Sequence, residues 1–95
     1  MLSFINPEDT TYALAERVKL SRLAENFSRK SLAERSGVSE ASIKRFETTG
    51  EIALLALLKL AYALGSMQEF DKVFAPKEII SIKDITKKQR ARGRR

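Results

Sequence analysis

The sequence contains no cysteine and no histidine. Disulfides, thiolate nucleophiles and the usual zinc and haem ligand sets are therefore excluded, and histidine general-base catalysis with them. Long apolar runs are also missing. The longest, Ile52 to Leu58, falls far short of the roughly 20 residues a membrane-spanning helix needs. No basic stretch followed by an apolar and then a small-residue stretch opens the chain, so there is no signal-peptide pattern. The expectation is a soluble cytoplasmic protein with no membrane partner, no metal and no cofactor. No Gly-rich loop or obvious carboxylate pair suggests an enzyme. What is present suffices for one domain: 95 residues with 43% apolar content can close a modest core, which argues against wholesale disorder.

The net charge of +6 is unevenly placed. Residues 1–75 carry ten Lys/Arg against ten Asp/Glu, whereas residues 76–95 carry eight basic residues against Glu78 and Asp84. The whole basic excess lies in the tail, and overall charge alone makes no case for nucleic-acid binding by the rest of the chain.

The case is made by pattern, between Ser28 and Glu47. Ser28 is a candidate N-cap for a short helix containing Ser31-Leu32-Ala33-Glu34-Arg35, and Ser39 caps a second helix, Glu40 to Glu47. Gly37 between them supplies the positive φ that a tight helix-to-helix turn requires. Leu32, Ala33, Val38, Ile43 and Phe46 are spaced so that two crossed helices can share one core. Glu40, Ala41, Ser42, Lys44 and Arg45 remain outward as a compact polar face. This is the layout of a helix-turn-helix, whose second helix enters the DNA major groove.

The flanking segments complete an all-α, five-helix domain over residues 7–75. Asn6-Pro7-Glu8-Asp9 opens the first helix, with an Asn cap, Pro at the first position and two acids at the positive end of the dipole. It runs to about Glu25 or Asn26, and Phe27 closes the core beneath the helix pair. After a turn at Thr48-Thr49-Gly50 a fourth helix spans about Glu51 to Leu64. Leu54, Leu57, Leu60, Ala61 and Leu64 form its core face; Leu55, Leu58 and Tyr62 lie on a second apolar face that a domain of this size has no layer to cover. That face can pair two copies of the chain, receive another partner, or belong to the core. Met67 to Phe74 reads as a short fifth helix, stopped by Pro76. Residues 76–95 form a basic C-terminal tail, in which Ile79, Ile80, Ile82 and Ile85 could dock on a protein and Lys87 to Arg95 is expected to be flexible alone. The tail can be a DNA arm, a segment ordered by a partner, or a solubilising terminus.

In register, these residues resemble the XRE family of phage-repressor-like helix-turn-helix domains. Arg22, Leu32-Ala33, Gly37-Val38-Ser39, Ile43, Glu47 and the run Ala56 to Gly65 carry the likeness, which covers roughly Leu14 to Val73. The apolar fourth helix, the short fifth helix and the Arg-rich tail look more specifically like HipB-type antitoxins, partners of HipA-type kinase toxins. The resemblance implies a structural ion pair between Arg22 and Glu47. It also implies double-stranded operator DNA as the ligand, a homodimer, and a HipA-like kinase toxin as a further partner. Where the family commonly has Gln, this chain has Arg29, which can reach a phosphate or read guanine.

Roles on the candidate DNA face follow from chemistry. Arg45 is the first choice for a bidentate contact to guanine O6 and N7. Lys44 can hold base or phosphate, Ser42 is placed for phosphate, and Ala41 offers a methyl to thymine. Glu40 either accepts from cytosine N4 or only compensates the helix dipole. Ser28, Arg29 and Lys30 surround a helix N-terminus whose free N–H groups favour phosphate, and Ser39 occupies the equivalent place on the second helix. The function expected is that of a dimeric transcriptional repressor, the antitoxin of a toxin–antitoxin operon. The alternatives are a solitary prophage-type repressor and a protein-interaction module that keeps the fold without binding DNA.

Overall fold

The computed structural model of the protein describes residues 6–76. The isoleucine segment 79–85 and the Arg-rich terminus lie outside the described residues. Four α-helices, α1 (Pro7–Ala24), α2 (Arg29–Ser36), α3 (Glu40–Thr49) and α4 (Leu54–Ala63), are followed by a 3₁₀ helix, Met67–Lys72. There is no strand among the described residues, and no helix among them is long and apolar enough to cross a membrane.

Local chemistry sets most of the boundaries. The Asn6 side chain accepts from the Asp9 N–H at 2.7 Å, and Pro7 takes the first helical position, where its missing N–H costs nothing. At the far end Asn26 adopts φ +63°, and the Phe27 N–H reaches back to Arg22 O at 3.1 Å. This left-handed stop is one that asparagine tolerates better than most residues. Phe27 is thereby turned toward the core, with the Arg35 guanidinium 4.3 Å over its ring. Ser28 caps α2 through the Ser31 N–H, and Ser39 caps α3 through the Ser42 N–H, both at 3.0 Å. Gly37 ends α2 at φ +83°, with open space where a Cβ would stand, so the backbone angle alone demands glycine there.

Helix α3 is the centre of the packing and lies against both α1 and α2, while α2 also meets α4 and α4 meets the 3₁₀ helix. Ala15, Leu32, Val38, Ile43, Phe46, Leu57 and Leu60 form one buried cluster drawn from all four α-helices. Each fully buried aliphatic or aromatic side chain here contributes roughly 1.5–3 kcal/mol of transfer free energy.

Several sequence expectations need correction. Helix α3 does not stop at Glu47. It continues through Thr48 and Thr49, whose hydroxyls bond back to Lys44 O and Arg45 O, and ends at Gly50. Helix α4 begins at Leu54 rather than Glu51, capped by Ala53 without a side-chain bond. Leu54 does not belong to the core face: it lies in the first turn and is 67% exposed. The last element is 3₁₀ rather than a fifth α-helix, and it stops at Lys72, before a Phe74 that adopts φ +63° in solvent.

Candidate functional site

Along α3 the side chains divide by periodicity. Ile43 and Phe46 are buried to 0 and 1% exposure, while Glu40, Ala41, Ser42, Lys44 and Arg45 are all exposed. The helix begins at a serine-capped N-terminus, where Ser39 Oγ also donates to Ser42 Oγ at 2.9 Å. That bond ties both hydroxyls to the first turn. Lys44 forms no ion pair among the described residues. The result is a convex ridge bearing a carboxylate at its start and two cations further along.

At the start of α2 the three candidates separate. Ser28 is exposed, with its hydroxyl oxygen occupied by the Ser31 N–H. Lys30 is exposed and without an ion-pair partner among the described residues. Arg29 is drawn inward: its Nε donates to Glu47 Oε1 at 2.9 Å. The sequence assigned Arg29 to phosphate or guanine, and the structure gives it a carboxylate of its own chain.

Glu47 is the hub of a buried charge cluster. Arg22 Nε donates to Glu47 Oε2 at 2.7 Å and Arg22 Nη2 to Oε1 at 3.1 Å, while Arg22 Nη1 satisfies Phe27 O at 2.9 Å. The Arg22 and Glu47 side chains are 7% and 2% exposed. Burial works to raise the Glu47 pKa, but the hydrogen bonds and charges of Arg22 and Arg29 outweigh it and hold the carboxyl below its ordinary value. No buried side-chain N or O among the described residues is left without a partner. The cluster fastens α1, the start of α2 and the end of α3 together, so it sets the angle at which α3 presents its ridge.

Arg45 is not isolated either. Its Nη2 donates to Glu51 Oε1 at 2.6 Å, with both side chains about two-thirds exposed. Thr49 Oγ1 donates to Arg45 O at 2.8 Å and accepts from the Glu51 N–H at 3.1 Å. Neither Glu51 nor Thr49 stands out in the sequence, whose pattern places a turn at Thr48-Thr49-Gly50 and the start of α4 at Glu51. The only available signal was an acid six residues after the arginine, a separation at which a continuous helix would not pair them. With Ser42 and Ile52, Arg45 and Glu51 line an open cleft of about 310 Å³ beside the ridge.

On α4, Leu55 and Tyr62 are 65% and 79% exposed, and Leu58 between them is half-buried. Leu54 extends this stripe toward the helix start.

No family model matches the chain, and no curated protein matches it.

Proposed function

We propose that the protein is a sequence-specific DNA-binding repressor of the XRE type, with α2 and α3 as its helix-turn-helix and α3 as the helix that enters the major groove. The observation that carries this reading is the division of α3, with Ile43 and Phe46 fully inside and five consecutive-turn polar or small side chains outside. A helix held at both ends, at Glu47 and at Ser39, can present such a ridge to a groove about 12 Å wide without being part of a sheet or a bundle interior. Ser28 and Lys30 at the α2 N-terminus would then meet a phosphate.

The apolar stripe Leu55, Leu58 and Tyr62, lengthened by Leu54, is assigned to pairing of two copies. Paired recognition helices about 34–36 Å apart would read a palindrome. Repression follows by occlusion of polymerase, on the protein's own operon. In the HipB-type version the protein also restrains a kinase toxin, which tightens operator binding by bridging dimers; a solitary prophage-type repressor lacks that partner. A second reading has two observations in its favour. The Lys/Arg and Asp/Glu of residues 6–76 balance, and Glu40 stands on the ridge itself, so the domain could instead serve as a protein-interaction module.

Selection of the full-length chain on random DNA, followed by a salt titration, separates the readings. A repressor enriches a defined palindrome and loses affinity with a log–log slope of about −0.9 per neutralised phosphate. No enriched site and a shallow slope would remove the DNA reading. Arg45→Ala should relax one base position only, whereas Lys30→Ala should weaken all sequences alike.

A further inference from the structure

We propose that Glu51 is a positioning and specificity-determining residue for the reading helix, holding the Arg45 guanidinium so that it requires a guanine. This rests on the DNA-binding reading given above. Arg45 is tied at both ends to one short loop: its carbonyl accepts from Thr49 Oγ1, Thr49 Oγ1 accepts from the Glu51 N–H, and the Glu51 carboxylate accepts from Arg45 Nη2. The loop is itself fixed. Gly50 lies between Thr49 and Glu51 at φ +82°, so close to α1 that a Cβ there would stand 2.9 Å from Thr11 Oγ1 and 3.3 Å from the Thr11 carbonyl carbon. The position of Glu51 is thus set by α1, and through it the direction of Arg45.

An exposed pair of this kind contributes little to folding stability. Its consequence is for recognition. A long arginine side chain loses rotamer freedom on binding, and one already held by a carboxylate has less to lose. The pairing also partly cancels the charge, which makes Arg45 a poorer neutraliser of phosphate. Nε and Nη1 donate to nothing among the described residues, and because Nη2 carries a second N–H, a two-donor edge of the guanidinium remains for a base. Guanine offers two acceptors there, O6 and N7, whereas adenine sets a donor beside its acceptor. A held guanidinium meets that donor and is repelled; a free one can swing to the backbone and tolerate the wrong base.

The test uses the full-length chain, with random-site selection and single-base substitution of the selected site for wild type, Arg45→Ala, Glu51→Ala and Glu51→Gln. Arg45→Ala identifies the base pair concerned. At that position Glu51→Ala should lose roughly five- to ten-fold of the guanine preference. Its affinity for unrelated DNA should rise, with a salt slope steeper by about 0.9 as Arg45 gains a phosphate. Glu51→Gln keeps the acceptor oxygen and should recover part of the preference. A purely structural Glu51 would shift the thermal midpoint and leave relative base preferences intact. Full guanine preference in a folded Glu51→Ala, or tighter binding to all sequences alike, overturns the proposal. If wild type enriches no site, the DNA reading fails and this inference fails with it; if wild type enriches a site and Glu51→Ala does not change it, only the inference fails.

Discussion

Replacing Glu47 by glutamine tests how the three helices are fastened. The carboxylate is 2% exposed and accepts three hydrogen bonds, from Arg22 Nε at 2.7 Å, Arg22 Nη2 at 3.1 Å and Arg29 Nε at 2.9 Å. Glutamine fills the same space but supplies one acceptor, presents an amide donor toward a guanidinium, and leaves two cations without their anion. Arg22 is the more affected because it is buried; Arg29 can turn to solvent. Breaking a buried pair in this way costs about 3–5 kcal/mol, and the surviving acceptor places Glu47→Gln near ~3 kcal/mol. A domain of about 70 residues has roughly 4–10 kcal/mol in total, so about a third to three-quarters of its stability is at stake. Urea unfolding should show the midpoint falling by roughly 2–3 M with little change in slope. Arg22→Met should cost nearly as much and Arg29→Met clearly less. The pH dependence supplies a second reading. The Glu47 carboxyl titrates below the 4.5 of an ordinary glutamate, so the unfolded chain takes up the proton first as pH falls. Its contribution is complete above about pH 4.5 and is lost as pH drops through the folded value. The stability gap between wild type and Glu47→Gln should therefore narrow on acidification from pH 5 to pH 3. A midpoint shift below about 0.5 M, or a gap that does not narrow, would refute the account.

Other perturbations discriminate further. Gly37→Ala meets only an unfavourable φ and should cost about 1–2 kcal/mol, while Gly50→Ala adds a clash with the Thr11 side chain of α1 and should cost measurably more in the same urea assay. Ser39→Ala removes the α3 cap and should lower stability by about 1 kcal/mol, with amide exchange rising first at Ser42. Tyr62→Glu changes a side chain that is 79% exposed, so folding should move by less than about 0.5 kcal/mol. If two copies pair through this stripe as proposed, sedimentation should nevertheless show loss of dimer; an unchanged dimer mass would place pairing on another surface.

Sequence was sufficient where a helix start is set by its own side-chain cap. Asn6, Ser28 and Ser39 each bond a backbone N–H three residues on, so a cap can be read without knowing what the helix packs against. The inward and outward sides of α3 follow from a 3.6-residue period, since a buried Ile43 and Phe46 leave Ser42, Lys44 and Arg45 nowhere but solvent. Tertiary structure decided what depends on how helices are set against one another. Arg29 is 18 residues from Glu47 and Arg22 is 25, and only the crossing of α1, α2 and α3 brings both guanidiniums to one carboxylate. Leu54 fits the core period, yet it is 67% exposed while Ile52, Ala56 and Leu57 around it pack on the core. The pairing of Arg45 with Glu51 needed α3 to run two residues longer than its sequence suggested, and needed Gly50 to seat against Thr11. The serines and Gly37 thus specified where α3 begins, while its anchoring at Glu47 and the pairing of Arg45 came from packing that no single segment encodes.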